Sequence, residues 1–122
     1  MNTLFIVALI GEAIFSTSLI VAPGTMLGRF GVSFNEATIT CARLFGSALL
    51  SFPVLLWFAG KSDNLEFKKG TVKSLFTYYL VSTLPLLTAR FSGLANPLSW
   101  VVIGMHLTLL LWFGYFLVQR TG

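Results

Sequence analysis

Four apolar blocks decide what this chain can become. An α-helix needs ~20 mostly apolar residues to cross ~30 Å of hydrocarbon. The blocks fall at about residues 3–22, 37–59, 72–91 and 98–118, each close to that length. Hydrocarbon offers no water to backbone N–H and C=O groups, so such a block is held as a helix. Charged residues make up 10% of the 122 residues, against roughly 25% in soluble domains. So few charges would not cover a water-soluble globule of this size. The sequence therefore predicts an all-α protein: one integral membrane antiparallel four-helix bundle with almost no soluble mass.

Proline and glycine punctuate the blocks. Pro23-Gly24 ends the first, because the residue before proline avoids helical geometry and glycine permits a turn. The following PGTMLGRFGVSFNE holds three glycines and is read as a loop at headgroup level, with a short interfacial or re-entrant segment as the alternative. Asn35 or Ser33 is placed to cap the second helix, with Glu36 favourable in its first turn. Pro53 should kink that helix. In the third block Ser82 and Thr83 precede Pro85, and their hydroxyls can serve the backbone groups that proline frees. The short SGLANP makes the last two blocks a tight antiparallel pair.

Charge sets the orientation. The polar stretch GKSDNLEFKKGTVK carries Lys61, Lys68, Lys69 and Lys73 against Asp63 and Glu66. By the positive-inside rule it is cytoplasmic, which puts both termini on that side; Arg120 agrees. Arg29 and Arg90 are the basic residues near the opposite face. The net charge of +4 is thus a topology signal. No basic run with interleaved aromatics is long enough to track a nucleic-acid backbone. The first block lacks a basic leader and contains Glu12, and it ends in Ala22-Pro23, so it reads as a retained span rather than a signal peptide. The single cysteine, Cys41, makes no internal disulfide and reads as a packed small residue.

Three polar residues stand inside the apolar blocks: Glu12, Arg43 and His106. A charge at the bilayer centre costs roughly 2.5–3.5 kcal/mol on insertion scales, so each needs a reason. At ~1.5 Å per residue, Glu12 lies roughly 14 Å from the cytoplasmic face, Arg43 roughly 9 Å and His106 about 12 Å from the outer face. Small residues flank them, with Gly11, Ala13 and Ser16 near Glu12, and Ala42 and Gly46 beside Arg43. One expectation is a structural Glu12–Arg43 pair with His106 as a third member. A second is that the trio lines a cavity for a small lipophile, with Glu12 or His106 transferring protons. A third makes His106 the axial ligand of a tetrapyrrole. There is no hydrolase triad, glycine-rich phosphate loop or metal-ligand cluster, and no residue is assigned a catalytic role.

The segments PGTMLGRFGVS and CARLFGSALL resemble small four-span bacterial membrane proteins of the DoxX-like type, through Pro23, Gly31, Ala42, Arg43 and Gly46, with SGLAN before the last span also similar. The resemblance implies a four-helix membrane bundle in a bacterial inner membrane and no firm activity. The cysteines of some DoxX relatives have no counterpart here, which speaks against a redox role. The functional expectation is an accessory or scaffold subunit of a larger membrane complex, in contact with lipid and with other subunits or further copies of itself. The alternative is a binding protein or enzyme for a small lipophilic substrate in a cavity around Glu12, Arg43 and His106.

Overall fold

The computed structural model describes residues 1–119; Arg120, invoked above for orientation, lies outside the described residues. Among the described residues all regular structure is helical: α1 (Asn2–Val21), α2 (Pro23–Arg29), α3 (Glu36–Leu49), α4 (Ser51–Lys61), α5 (Leu65–Phe91) and α6 (Ser99–Val118). Three rods are long and apolar enough to cross a membrane: α1, the combined α3 and α4 of 26 residues, and α6. The fourth expected span, 72–91, lies in α5, which falls short of that standard. Its first turns carry Glu66, Lys68, Lys69 and Lys73, and Ser and Thr recur along it. It buries Thr71, Val72, Leu75, Tyr79 and Thr83.

Successive rods alternate in direction. Lys68 Nζ donates to Asn2 Oδ1 at 3.3 Å, bringing the starts of α1 and α5 together. Met1, Lys69, Lys73 and Gln119 share a crevice at that same end. At the opposite end the Asn96 backbone N–H donates to the Phe30 carbonyl at 2.8 Å, and its side-chain Nδ2 donates to the Arg29 carbonyl at 2.9 Å.

α5 packs along α6, and α1 packs along α3 and α4, while α4 also touches α5. At the lysine-rich end all four rods converge on one core, in which Phe5 (α1), Leu56 (α4), Leu75 (α5) and Phe113 (α6) meet. α1 and α3 approach closely at Gly46. A Cβ built on Gly46 would stand 2.9 Å from the Ser16 carbonyl oxygen and 2.8 Å from Leu19 Cβ. Ser16 is fully buried beneath it. A helix face of small residues, Ala42 and Gly46, lets the backbones meet in this way.

Local chemistry explains the element ends. Asn35 caps α3, its Oδ1 accepting from the Thr38 backbone N–H at 2.9 Å, and Asn64 does the same for α5 through Phe67 at 3.1 Å. The helical run is interrupted at Leu50, one turn before Pro53, whose ring nitrogen has no hydrogen to offer the Leu49 carbonyl. α5 runs unbroken through Pro85. Contrary to expectation, Thr83 and Ser82 bond the Tyr79 carbonyl, at 2.6 and 3.4 Å, rather than the Val81 carbonyl that Pro85 frees.

The stretch after Pro23 is a correction. It is a short helix, α2, despite Gly24 and Gly28 within it. Proline at the first position is preorganised for helix and gives up only a donor that has no partner there. α2 then ends in a Schellman turn. Gly31 adopts φ 70°, its N–H reaching the Gly28 carbonyl while Val32 N–H reaches Leu27. Gly93 closes α5 in the same manner at φ 75°.

Candidate functional site

Glu12 lies midway along α1 and is 6% exposed. Its partner is Tyr79 of α5, fully buried, whose hydroxyl donates to Glu12 Oε1 at 2.6 Å. A buried carboxyl needs a donor, and a tyrosine O–H supplies one without adding a second charge. The Tyr79 ring is held by an edge-on contact to Tyr78 at 5.1 Å, a tilted contact to Phe113 at 5.7 Å and an edge-on contact to the His106 imidazole at 5.3 Å.

His106 arrives from α6. Its Nδ1 lies 3.0 Å from the Val102 carbonyl, one turn back on the same helix. A carbonyl only accepts, so Nδ1 carries a hydrogen. The imidazole is thereby oriented by its own helix.

The expected Glu12–Arg43 pair is not formed. Arg43 is exposed, and its Nε donates to the Ile20 carbonyl at 3.3 Å. Ile20 is eight residues beyond Glu12, about 12 Å along the helix. The last carbonyls of α1 have no intrahelical partners, and a cation is favourable at a helix C-terminus. Arg43 therefore closes the end of α1 instead of neutralising its middle. Among the described residues the one ion pair is Lys69–Glu66 at 3.1 Å.

Glu12, Tyr79 and His106 line one cavity of ≈ 60 Å³, with Gly11, Phe15, Val102, Met105 and Leu109 as apolar walls. It lies between α1 and α6, which barely touch one another. Gly104, two residues before His106, is exposed and an added Cβ there would meet nothing within 4 Å; Gly11 is the glycine on the cavity wall. Above the cavity, toward the α2 end, lies a second chamber of ≈ 190 Å³, walled by apolar side chains of α1, α2, α5 and α6 such as Leu19, Met26, Leu27 and Leu86. The two share Phe15 and Val102 as walls.

Tyr79 is the residue that sequence reasoning missed. A tyrosine inside an apolar block is uncharged and does not stand out as Glu12, Arg43 and His106 do. Its depth is the signal: Tyr79 is seven residues into the block 72–91, about 10 Å from the lysine-rich end, against ~14 Å for Glu12. Arg43 was further off that level than the tyrosine.

Beside the imidazole the cavity measures ≈ 60 Å³, against ~300–1,000 Å³ for pockets that take drug-sized ligands. Among the described residues no three His, Cys, Asp or Glu side chains gather in a way that could hold a metal. Comparison of the chain with protein-family models, with curated proteins and with solved structures found no match.

Proposed function

We propose that this chain is an integral membrane four-helix bundle that binds a small lipophile, admitted from the bilayer between α1 and α6. The observation that carries the reading is the meeting of Glu12, Tyr79 and His106 on one small, laterally placed cavity. Polar groups deep in an apolar bundle point to function by default, and a few converging polar groups in an apolar pocket are the general form of a ligand site. The outer surface supports the bilayer setting: large apolar side chains such as Ile14, Leu44, Phe58, Leu84 and Leu111 are all exposed. In water an apolar coat of that extent would aggregate. α5 is the fourth span, tolerated because hydroxyls along it bond their own backbone, as Thr77 does to the Lys73 carbonyl at 2.9 Å and Thr88 to the Leu84 carbonyl at 2.9 Å. The lysine-rich end, with Met1 and Gln119 beside it, is cytoplasmic by the positive-inside rule. A bacterial inner membrane is the matching setting.

The resemblance to DoxX-like proteins is kept as a statement about architecture. Ala42 and Gly46 carry the α1–α3 contact, Gly31 turns the chain after α2, and Arg43 closes α1. Packing accounts for each of them without assigning chemistry.

Native mass spectrometry of protein extracted in mild detergent tests the reading. The expected result is one chain, or a homo-oligomer, carrying a defined small-molecule adduct that weakens in Tyr79→Phe. Release of other polypeptides from a much larger assembly, with no adduct, would replace it with the accessory or scaffold subunit.

A further inference from the structure

At the lysine-rich end the basic side chains divide between two openings. Lys69 and Lys73 border the crevice beside Met1 and Gln119. Lys61 belongs instead to a groove of ≈ 240 Å³ between α1 and α4. Its Nζ stands 4.0 Å from the centre of the Trp57 ring, and Trp57 is a wall of the same groove. Lys68 reaches that wall from α5, its Nζ donating to Oδ1 of Asn2, which also lines the groove, at 3.3 Å. Two ammonium groups from different helices thus stand at one opening. Among the described residues the one ion pair joins Lys69 to Glu66, so neither Lys61 nor Lys68 has a carboxylate partner, Asp63 included. An ammonium has three hydrogens, and Lys68 gives only one of them to Asn2.

Away from this mouth the groove is apolar. Phe5 and Leu56, both almost fully buried, line it, and Leu9 is the wall residue farthest along α1. Asn2 to Leu9 is about 10 Å of helix, within the ~15 Å of hydrocarbon in one leaflet. We propose that this groove holds one anionic phospholipid of the cytoplasmic leaflet, its phosphate between Lys61 and Lys68 and the start of an acyl chain along Phe5, Leu9 and Leu56. The proposal rests on the membrane placement and orientation given above and not on the lipophile cavity, with which the groove shares no wall. Charge and chain together select the occupant. A soluble phosphate ester has nothing to offer the apolar walls, and a zwitterionic lipid brings its own cation toward two ammonium groups. A tryptophan at the mouth suits the headgroup level.

Trp57 supplies the readout. The chain would be placed in phosphatidylcholine nanodiscs containing a small, equal share of either phosphatidylglycerol or phosphatidylcholine with brominated acyl chains. Bromine quenches tryptophan emission only near contact. Brominated phosphatidylglycerol should quench more, with a preference of about fivefold for each lysine engaged, and the preference should fall as salt is raised. The excess should vanish in Lys61→Gln/Lys68→Gln. It should survive in Lys69→Gln/Lys73→Gln, which removes the same charge from the other crevice, and in Tyr79→Phe. Equal loss in the two lysine pairs would mean diffuse attraction and overturn the site. An excess undiminished in Trp57→Phe would put the lipid elsewhere. Relief of quenching by soluble glycerophosphate would make the groove a site for free phosphate esters and sink the lipid. Equal quenching by the two lipids would overturn the anionic preference and leave the lipophile reading untouched. Absence of Trp57-dependent quenching by either would take the groove out of the bilayer and overturn the membrane placement with it. The comparison of the two lipids needs no variant, so a misfolded substitution would not blunt it.

Discussion

The Tyr79–Glu12 bond joins α5 to α1 where no backbone contact does. Removing the hydroxyl leaves a carboxyl inside the bundle with no side-chain donor. Tyr79→Phe should lower stability by about 1–2 kcal/mol, between the membrane average for such bonds and the penalty of an orphaned buried group. Glu12→Gln keeps an acceptor for the tyrosine and should lose less. Unfolding in mixed micelles, followed by circular dichroism, would rank the two; a harmless Tyr79→Phe would mean the bond contributes nothing to folding. Arg43 belongs to a different local problem, the open end of α1. A double-mutant cycle between Glu12→Gln and Arg43→Gln should therefore be additive within about 0.5 kcal/mol. A larger coupling energy would restore the ion pair that the sequence invites.

At the scale of elements, Gly46 is the glycine among the described residues with least room for a side chain, and it sits where α3 meets α1. Gly46→Ala would press a methyl group onto the Ser16 carbonyl and Leu19 Cβ, both backbone-tethered and unable to swing aside. The loss should be about 1–3 kcal/mol, the usual range for overpacking. Gly60→Ala, with nothing within 4 Å of the added carbon, is the matched control. It should be neutral or slightly stabilising, since alanine is the better helix former. Equal effects at the two positions would show that helix propensity, rather than the α1–α3 contact, governs both. α2 is legible in hindsight from proline at its first position and glycine just after its end. The glycines inside it hid that pattern, because a glycine lowers helix propensity without forbidding helix.

Over the whole molecule, the alternation of the rods brings Met1, Lys69, Lys73 and Gln119 to one end and Arg29, Phe30 and Asn96 to the other. In a Cys41→Ser background, Ser62→Cys should react with a membrane-impermeant maleimide only after the cells are opened, and Ser92→Cys should react in intact cells. The reverse pattern would invert the topology, and labelling of both from one side would mean that α5 does not cross. The crevice between α1 and α6 is a property at this scale. Each of the two rods has a strong packing partner elsewhere, α3 and α4 for one and α5 for the other, so they part above the shared core.

The sequence by itself determined the helical class, the three most apolar rods, a cap at Asn35 or Ser33, the break near Pro53, and Glu12 as a carboxyl inside an apolar rod. These follow from local chemistry: hydropathy over about 20 residues, the missing proline donor, and the cost of placing charge in hydrocarbon. Only the tertiary structure decided who meets whom. Glu12 had an arginine, a histidine and several hydroxyls within plausible depth, and depth along an axis says nothing of rotation about it. The close seating of Gly46 on Ser16 set the α1–α3 register and left Arg43 at the end of α1. The packing of α5 against its neighbours carried the Tyr79 hydroxyl to the carboxyl. Side-chain partnership depends on the rotation and register of whole helices, and these are settled by contacts between residues far apart in the chain.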